Sequence, residues 1–126
     1  RMVTLYQFAG QYKGIVVGTG NKVEDYGVGF YTKYGDGGVD IAPIADLYKS
    51  EVWDLGKSLG IDSRIIEAKP TDGLWDDGRT DEDQLGATYS ELEEAMETGK
   101  GTGLKVLEEY ARMNAHKMNP IPTFTL

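Results

Sequence analysis

Apolar residues recur at helical spacing in two long segments of the chain. The first segment predicts a helix over residues 2–12. The residues of its apolar face are Met2, Leu5, Ala9 and Tyr12. The second predicts a helix over residues 47–59, which Asp46 caps and Gly60 stops. Its apolar stripe consists of Tyr48, Val52, Leu55 and Leu59.

The second half of the chain predicts shorter helices and a polar tail. The predicted elements are short helices over residues 62–67, 81–86 and 91–97, a last helix opened by Thr102 or Gly103, and an extended tail over residues 115–126. Ser90 and Glu93 have the spacing of a capping box, which places the start of the third of these helices.

Two short apolar runs, at residues 15–17 and 40–44, are typical of buried parallel strands. Glycine-rich loops occupy residues 18–26, with a helical turn from Lys22, and residues 33–39. Helices combined with such strands predict an α/β fold, in which a parallel sheet is flanked by helices. Because two strands are too few for a stable sheet, we expect its other strands upstream of residue 1.

Composition narrows the classes of protein that fit. A length of 126 residues suggests one domain, and a net charge of −8 disfavours a nucleic-acid partner. No apolar run approaches the roughly 20 residues that span a bilayer, so no membrane partner is expected. The chain has no cysteine, which excludes thiolate metal sites and fits a cytoplasmic location.

The first glycine-rich loop carries the clearest candidate chemistry. Its glycines directly follow a predicted strand, where backbone amides can approach an anion closely. Thr19 and Glu24 lie in this loop and could face a nucleotide and its metal together. The alternative is structural: Thr19 forms a turn and Glu24 caps a helix start.

Three further groups carry candidate residues. Lys33 and Asp36 lie in the second glycine-rich loop and Asp40 directly follows it; this loop could instead be solvated and hold a weak surface ion pair. Lys49 lies near the start of a predicted helix, where the helix dipole is positive and disfavours a lysine. It is therefore a candidate phosphate ligand, or else an ordinary exposed lysine. The acidic segment 71–83 could form a lid over a ligand or a solvated loop.

Four parts of the sequence, in order along the chain, cover nearly all of it. They are the segments VVGTGNKVED, GFYTKYGDGGVDIAPIADLYKSEV and KPTDGLWDDGRTDEDQLG and a late His-Lys pair. Together they resemble the C-terminal part of the ammonia-dependent NAD synthetases. The resemblance implies a Rossmann-like fold of the adenine-nucleotide alpha-hydrolase type, with residues 1–126 as the C-terminal portion of one synthetase domain. The lone histidine, which is otherwise expected to be a surface residue, gains a candidate role.

The resemblance also implies a reaction and a set of site residues. ATP adenylates the carboxylate of deamido-NAD and releases pyrophosphate, and ammonia then displaces AMP to give NAD. The implied contacts are Thr19, Lys49 and Thr71 with ATP, Glu24 with Mg²⁺, and Lys33, Asp40, His116 and Lys117 with deamido-NAD. The implied assembly is a homodimer, and no catalytic residue is assigned.

One part of the family pattern lies outside this sequence. The Ser-Gly-Gly-x-Asp-Ser loop, which in this family binds pyrophosphate and supplies another Mg²⁺ ligand, does not occur in it. We expect that loop upstream, and we expect these 126 residues alone to be inactive. Two alternatives stay open: a related adenylating amidotransferase, such as a GMP or carbapenam-type synthetase, and a non-catalytic nucleotide-binding or dimerisation fragment.

Overall fold

The computed structural model describes residues 1–125 and is mainly helical. Its elements in chain order are α1 (Met2–Tyr12), a π-helix (Lys22–Val28), α2 (Lys49–Ser58), α3 (Ser63–Ile66), α4 (Asp81–Leu85), α5 (Tyr89–Thr98) and α6 (Leu104–Met118). The predictions of α1, α3 and α4 are confirmed to within a residue at each end.

The predicted caps of α2 and α5 are wrong. At α2 the carboxylate of Glu51 accepts the Tyr48 backbone N–H at 2.7 Å. Asp46 instead lies 3.2 Å from the Lys22 ammonium. At α5 the capping box joins Thr88 to Glu91, so the helix begins two residues earlier than predicted.

The sequence contains two overlapping capping-box patterns at α5, and tertiary contacts select one. Glu93, the acid of the rejected pattern, accepts hydrogen bonds from the Ser50 backbone N–H at 3.0 Å and the Ser50 hydroxyl at 2.7 Å. This acid therefore connects α2 to α5 instead of closing a cap.

The predicted extended tail is wrong over its first four residues. Helix α6 continues to Met118, so His116 and Lys117 lie in its last turn. Positive side chains are favourable there because the helix dipole is negative at its C-terminal end.

The two predicted strands lie side by side in parallel, although each contributes only one bridge residue, Val17 and Ile41. The Gly18 N–H donates to the Ile41 carbonyl at 2.7 Å, and the Asp40 N–H donates to the Val16 carbonyl at 2.9 Å. This pairing supports the predicted parallel direction, and within residues 1–125 it does not extend into a sheet. The predicted burial is confirmed for Val16 but is wrong for Val17 and Ile41, which are 52% and 47% exposed.

The hydrophobic core lies between the π-helix, α5 and α6. Its buried members are Val23, Val28, Leu85, Tyr89 and Leu92, and the partly buried residues around them include Phe30, Met96, Leu107 and Tyr110. The core therefore fixes the π-helix, which carries Glu24, against the two longest helices of the second half.

The apolar faces predicted for α1 and α2 are only partly covered in this structure: Met2, Ala9, Tyr48 and Val52 are half-buried, and the other predicted members are exposed. Neither helix has a buried residue, and Leu5 and Leu59 are 51% and 70% exposed. Within residues 1–125, no helix combines the length and the apolar character that a membrane crossing requires.

Candidate functional site

A cleft of about 300 Å³ lies beside the π-helix. We call it the Glu24 cleft; its lining residues are Thr19, Glu24, Phe30, Asp36, Lys49, Pro70, Thr71, Asp72 and Asp81. All four residues that the resemblance assigned to ATP or Mg²⁺ are in this set. They come from three separate segments of the sequence, so only the folded chain brings them together.

Glu24 is the centre of the polar contacts in this cleft. Its Oε1 accepts from the Lys49 ammonium at 2.9 Å and from the Tyr89 hydroxyl at 2.6 Å. The side chains of Glu24 and Lys49 are only 17% and 18% exposed, so solvent screens their attraction less than that of a surface pair. Lys49 also lies 5.1 Å from the centre of the Tyr89 ring.

The local sequence explains the position of Glu24. The side chain of Asn21 is buried and accepts the Glu24 backbone N–H at 3.0 Å, which caps the π-helix. A Cβ on Gly20 would lie 2.0 Å from the Asp25 carboxylate, so the absence of a side chain lets the helix start turn tightly. Single π-helical turns are rare and often occur at functional sites.

Asp81 and Tyr89 belong to this cluster, and sequence reasoning missed both. Asp81 is 7% exposed, and its Oδ2 accepts from the Tyr89 hydroxyl at 3.3 Å. Burial, and secondarily the charge of Glu24, raise the pKa of Asp81. Burial also raises the pKa of Tyr89, so its phenol keeps its proton and serves as a donor.

A second cleft, of about 360 Å³, is lined by other residues of the π-helix, Asp25 and Tyr26. We call it the Asp40 cleft; its lining residues are Asp25, Tyr26, Tyr31, Gly37, Val39, Asp40, Ile41, Ala42, Lys117 and Met118. It contains Asp40 and Lys117, two of the four residues assigned to deamido-NAD. Burial, then the charges of Glu24 and Asp36, raise the pKa of Asp25 to about 6.

Asp40 uses both of its carboxylate oxygens within the chain. Oδ2 accepts from the Val16 backbone N–H at 2.8 Å, and Oδ1 accepts from the Tyr6 hydroxyl at 3.2 Å. This carboxylate therefore connects α1 to the parallel pair of segments as well as lining the cleft.

Lys117 also makes internal contacts. Its ammonium donates to the carbonyls of Gly29 and Tyr31 at 2.9 and 2.7 Å. Burial lowers the pKa of Lys117. The Lys117 side chain thus holds the backbone that directly follows the π-helix.

Lys33 and His116 lie next to each other outside the lining of the Asp40 cleft. The Lys33 ammonium donates to the backbone carbonyl of His116, so this contact does not depend on the imidazole. The His116 side chain is exposed. Only the fold reveals this contact between the second glycine-rich loop and the end of α6.

Lys117→Met is expected to lower the free energy of unfolding by about 1–3 kcal/mol, because two carbonyls lose their shared donor. Urea unfolding followed by circular dichroism measures this change. Lys105→Met, at an exposed position of the same helix, is the matched control and should change stability by less than about 0.5 kcal/mol. Equal unfolding midpoints for the two variants would show that the Lys117 contacts add no stability.

The segment 71–83, predicted as a possible lid, is held by side-chain contacts. The indole N–H of Trp75 donates to Gln84 Oε1 at 3.2 Å, and the Arg79 guanidinium lies 4.4 Å from the centre of its ring. Thr71 donates through its hydroxyl to the Arg79 carbonyl at 3.3 Å. These contacts place the base of the segment beside the Glu24 cleft; its motion stays a prediction.

Known proteins are similar to this chain over nearly its whole length. The sequence model of the family described as NAD synthase matches residues 1–122. The chain belongs to the NAD synthase family. It is 45% identical over 126 residues to the NH(3)-dependent NAD(+) synthetase of Alkaliphilus oremlandii, with 98% of this chain and 49% of that protein covered. For the same enzyme of Thermoplasma volcanium, the identity is 50% over 96 residues, and the coverage is 76% and 39%.

Solved structures give the same family. An NMN synthetase from Francisella tularensis has a TM-score of 0.88 and 40% identity, with 100% of this chain and 53% of that chain covered. An NH3-dependent NAD synthetase from Campylobacter jejuni, in complex with nitrate, has a TM-score of 0.70 and 28% identity, with 99% and 51% covered. The chain thus spans about half of each of these two structures, and the NH3-dependent NAD synthetases among its relatives are ligases.

Proposed function

We propose that the protein containing this chain is an NAD synthetase that couples ammonia to deamido-NAD at the expense of ATP. The observation that carries the proposal is the Glu24 cleft, where Thr19, Lys49 and Thr71 lie with Glu24. A hydroxyl, an ammonium and a carboxylate in one cleft suit a nucleotide and its cation. Family membership supports the same conclusion.

The chemistry assigns different tasks to the residues of this cleft. The deamido-NAD carboxylate attacks the α-phosphorus of ATP, and the bond to pyrophosphate breaks. Lys49 stabilises the negative charge that develops on the phosphates, and Thr19 and Thr71 orient the nucleotide. The nitrogen of ammonia then forms a bond to the acyl carbon, AMP leaves, and the nitrogen loses a proton.

We further propose that Mg²⁺ binds at Glu24. Mg²⁺ prefers oxygen ligands and usually takes one or two carboxylates, with water and phosphate oxygens for the rest. Within residues 1–125, no group of three or more His, Cys, Asp or Glu side chains could hold a metal by itself. When bound, Mg²⁺ would neutralise charge on the departing pyrophosphate.

The proposed deamido-NAD contacts are Lys33, Asp40, His116 and Lys117. The Asp40 cleft supports Asp40 and Lys117, and the Lys33–His116 contact places the other two near the end of α6. The proposed sheet of the Rossmann-like fold and the proposed homodimer follow from the resemblance, and the proposed cytoplasmic location follows from the lack of cysteine. The exposed apolar face of α1 supports packing against further protein.

NAD formation by the complete protein tests the proposed function. Purified protein with ATP, Mg²⁺, ammonium and deamido-NAD should give NAD, AMP and pyrophosphate in equal amounts, and omission of any one reactant should stop the reaction. No NAD under these conditions would contradict the proposal and favour the non-catalytic alternative.

The likeness to an NMN synthetase gives a second candidate substrate, the deamidated mononucleotide. The same assay with nicotinate mononucleotide in place of deamido-NAD separates the two. A higher kcat/KM with the mononucleotide would assign NMN synthesis instead. Activity on neither pyridine substrate but on another nucleotide acid would indicate a related adenylating amidotransferase.

A further inference from the structure

Asp81 has a carboxylate oxygen for which the described residues offer no partner. The residue is 7% exposed, and its Oδ1 is buried without a hydrogen bond. A buried, unpartnered carboxylate oxygen is costly, and proteins rarely keep one without a reason. Since Asp81 lines the Glu24 cleft, a bound cation is one such reason.

The charges around Asp81 also favour a bound cation. Glu24 and Asp81 both accept from the single Tyr89 hydroxyl, at 2.6 and 3.3 Å. One phenol proton cannot satisfy both carboxylates fully, and the Lys49 ammonium contacts Glu24 and not Asp81. The two carboxylates thus exceed the one ammonium by one negative charge, and this charge lies at Asp81.

We propose that Asp81 is a further ligand, within this chain, of the divalent cation held at Glu24, with the Tyr89 hydroxyl in contact with both carboxylates. Two carboxylates on one side of a cleft leave the other positions of a Mg²⁺ ion open to water and phosphate oxygens. Only the identification of the cation as Mg²⁺ rests on the proposed function; the pair of ligands rests on the contacts of Asp81.

Binding of Mn²⁺ alone, a spectroscopic substitute for Mg²⁺, tests the ligand pair without substrates. The free Mn²⁺ signal in electron paramagnetic resonance is titrated with the complete protein. Asp81→Asn keeps the shape of the side chain and removes its charge, and it should raise the Kd for Mn²⁺ about tenfold or more. The effects of Asp81→Asn and Glu24→Gln should not add in the double variant, because both act on one ion.

A matched control isolates ligation from general electrostatics. Asp72→Asn removes the same charge from the same cleft, but both Asp72 oxygens already accept hydrogen bonds, from the Leu74 N–H and the Gln84 amide. Its Kd should rise less than about threefold. Equal increases for Asp72→Asn and Asp81→Asn, or no saturable Mn²⁺ binding by the unmodified protein, would overturn the proposal.

Thermal unfolding in EDTA distinguishes a ligand from a structural group. Without a metal, Asp81→Asn relieves an unpaired buried charge, so its unfolding midpoint should equal or exceed that of the unmodified protein. A midpoint several degrees lower would assign Asp81 a structural role and overturn the proposal. Protein that binds Mn²⁺ through Asp81 but forms no NAD would leave the ligand pair intact and refute the proposed function alone.

Discussion

Glu24→Gln is expected to lower NAD formation by the complete protein about 100-fold, the upper end of what lost support around a metal costs. Glutamine keeps the length of the side chain and an oxygen that can accept from Tyr89. It removes the charge that pairs with Lys49 at 2.9 Å and that would attract the cation. The structure should therefore persist while the chemistry fails.

Initial rates as a function of Mg²⁺ concentration measure this effect. The variant should need more Mg²⁺ for half-maximal rate, since its cleft has lost one negative charge. Glu108→Gln makes the same substitution at an exposed position of α6 and serves as the control, with a rate close to that of the unmodified protein. A Mg²⁺ dependence that Glu24→Gln leaves unchanged would exclude Glu24 as a metal ligand.

Gly29→Ala is expected to lower the free energy of unfolding by about 2–4 kcal/mol. Gly29 ends the π-helix with φ 64°, a left-handed conformation that an L-residue adopts at a cost. A Cβ there would also lie 2.6 Å from the Cβ of Asn114, so α6 would have to move away. Strain and displacement add because they arise from different atoms.

The control for this prediction is Gly86→Ala. Gly86 ends α4 with φ 77°, but a Cβ there would have nothing within 4 Å. Gly86→Ala should therefore lower the free energy of unfolding only through the strain of the left-handed backbone, by about 1 kcal/mol. Urea unfolding of both variants isolates the contact between the π-helix and α6; if the two lose equal stability, that contact is not tight.

Local sequence was sufficient for much of the helical structure. Residues 2–12 form a helix as their spacing predicts, and Gly60 follows the end of α2 with φ 71°. Cap positions were harder, because Thr88 and Ser90 both begin a capping-box pattern. The choice between them depends on Glu93, which binds Ser50 43 residues away.

The residues of the candidate site were also only partly predictable from the sequence. Thr19, Glu24 and Lys49 were predictable from residue types in glycine-rich and helix-start contexts, whereas Thr71 came only from the family resemblance; all four line one cleft. Tyr89 was not predictable, because a tyrosine at an inward helical position reads as core. Asp81 resembled any other acid of its segment; its significance comes from burial and from Glu24, 57 positions earlier in the sequence.

The two clefts are lined by residues that are neighbours in the sequence. Glu24 lines one and its neighbour Asp25 lines the other, and Asp36 and Gly37 diverge in the same way. A ligand that moves the backbone at Glu24 or Asp36 in one cleft would also move Asp25 or Gly37 in the other. Any change in affinity transmitted in this way is reciprocal by thermodynamic linkage, so the strength of this coupling is measurable from either ligand.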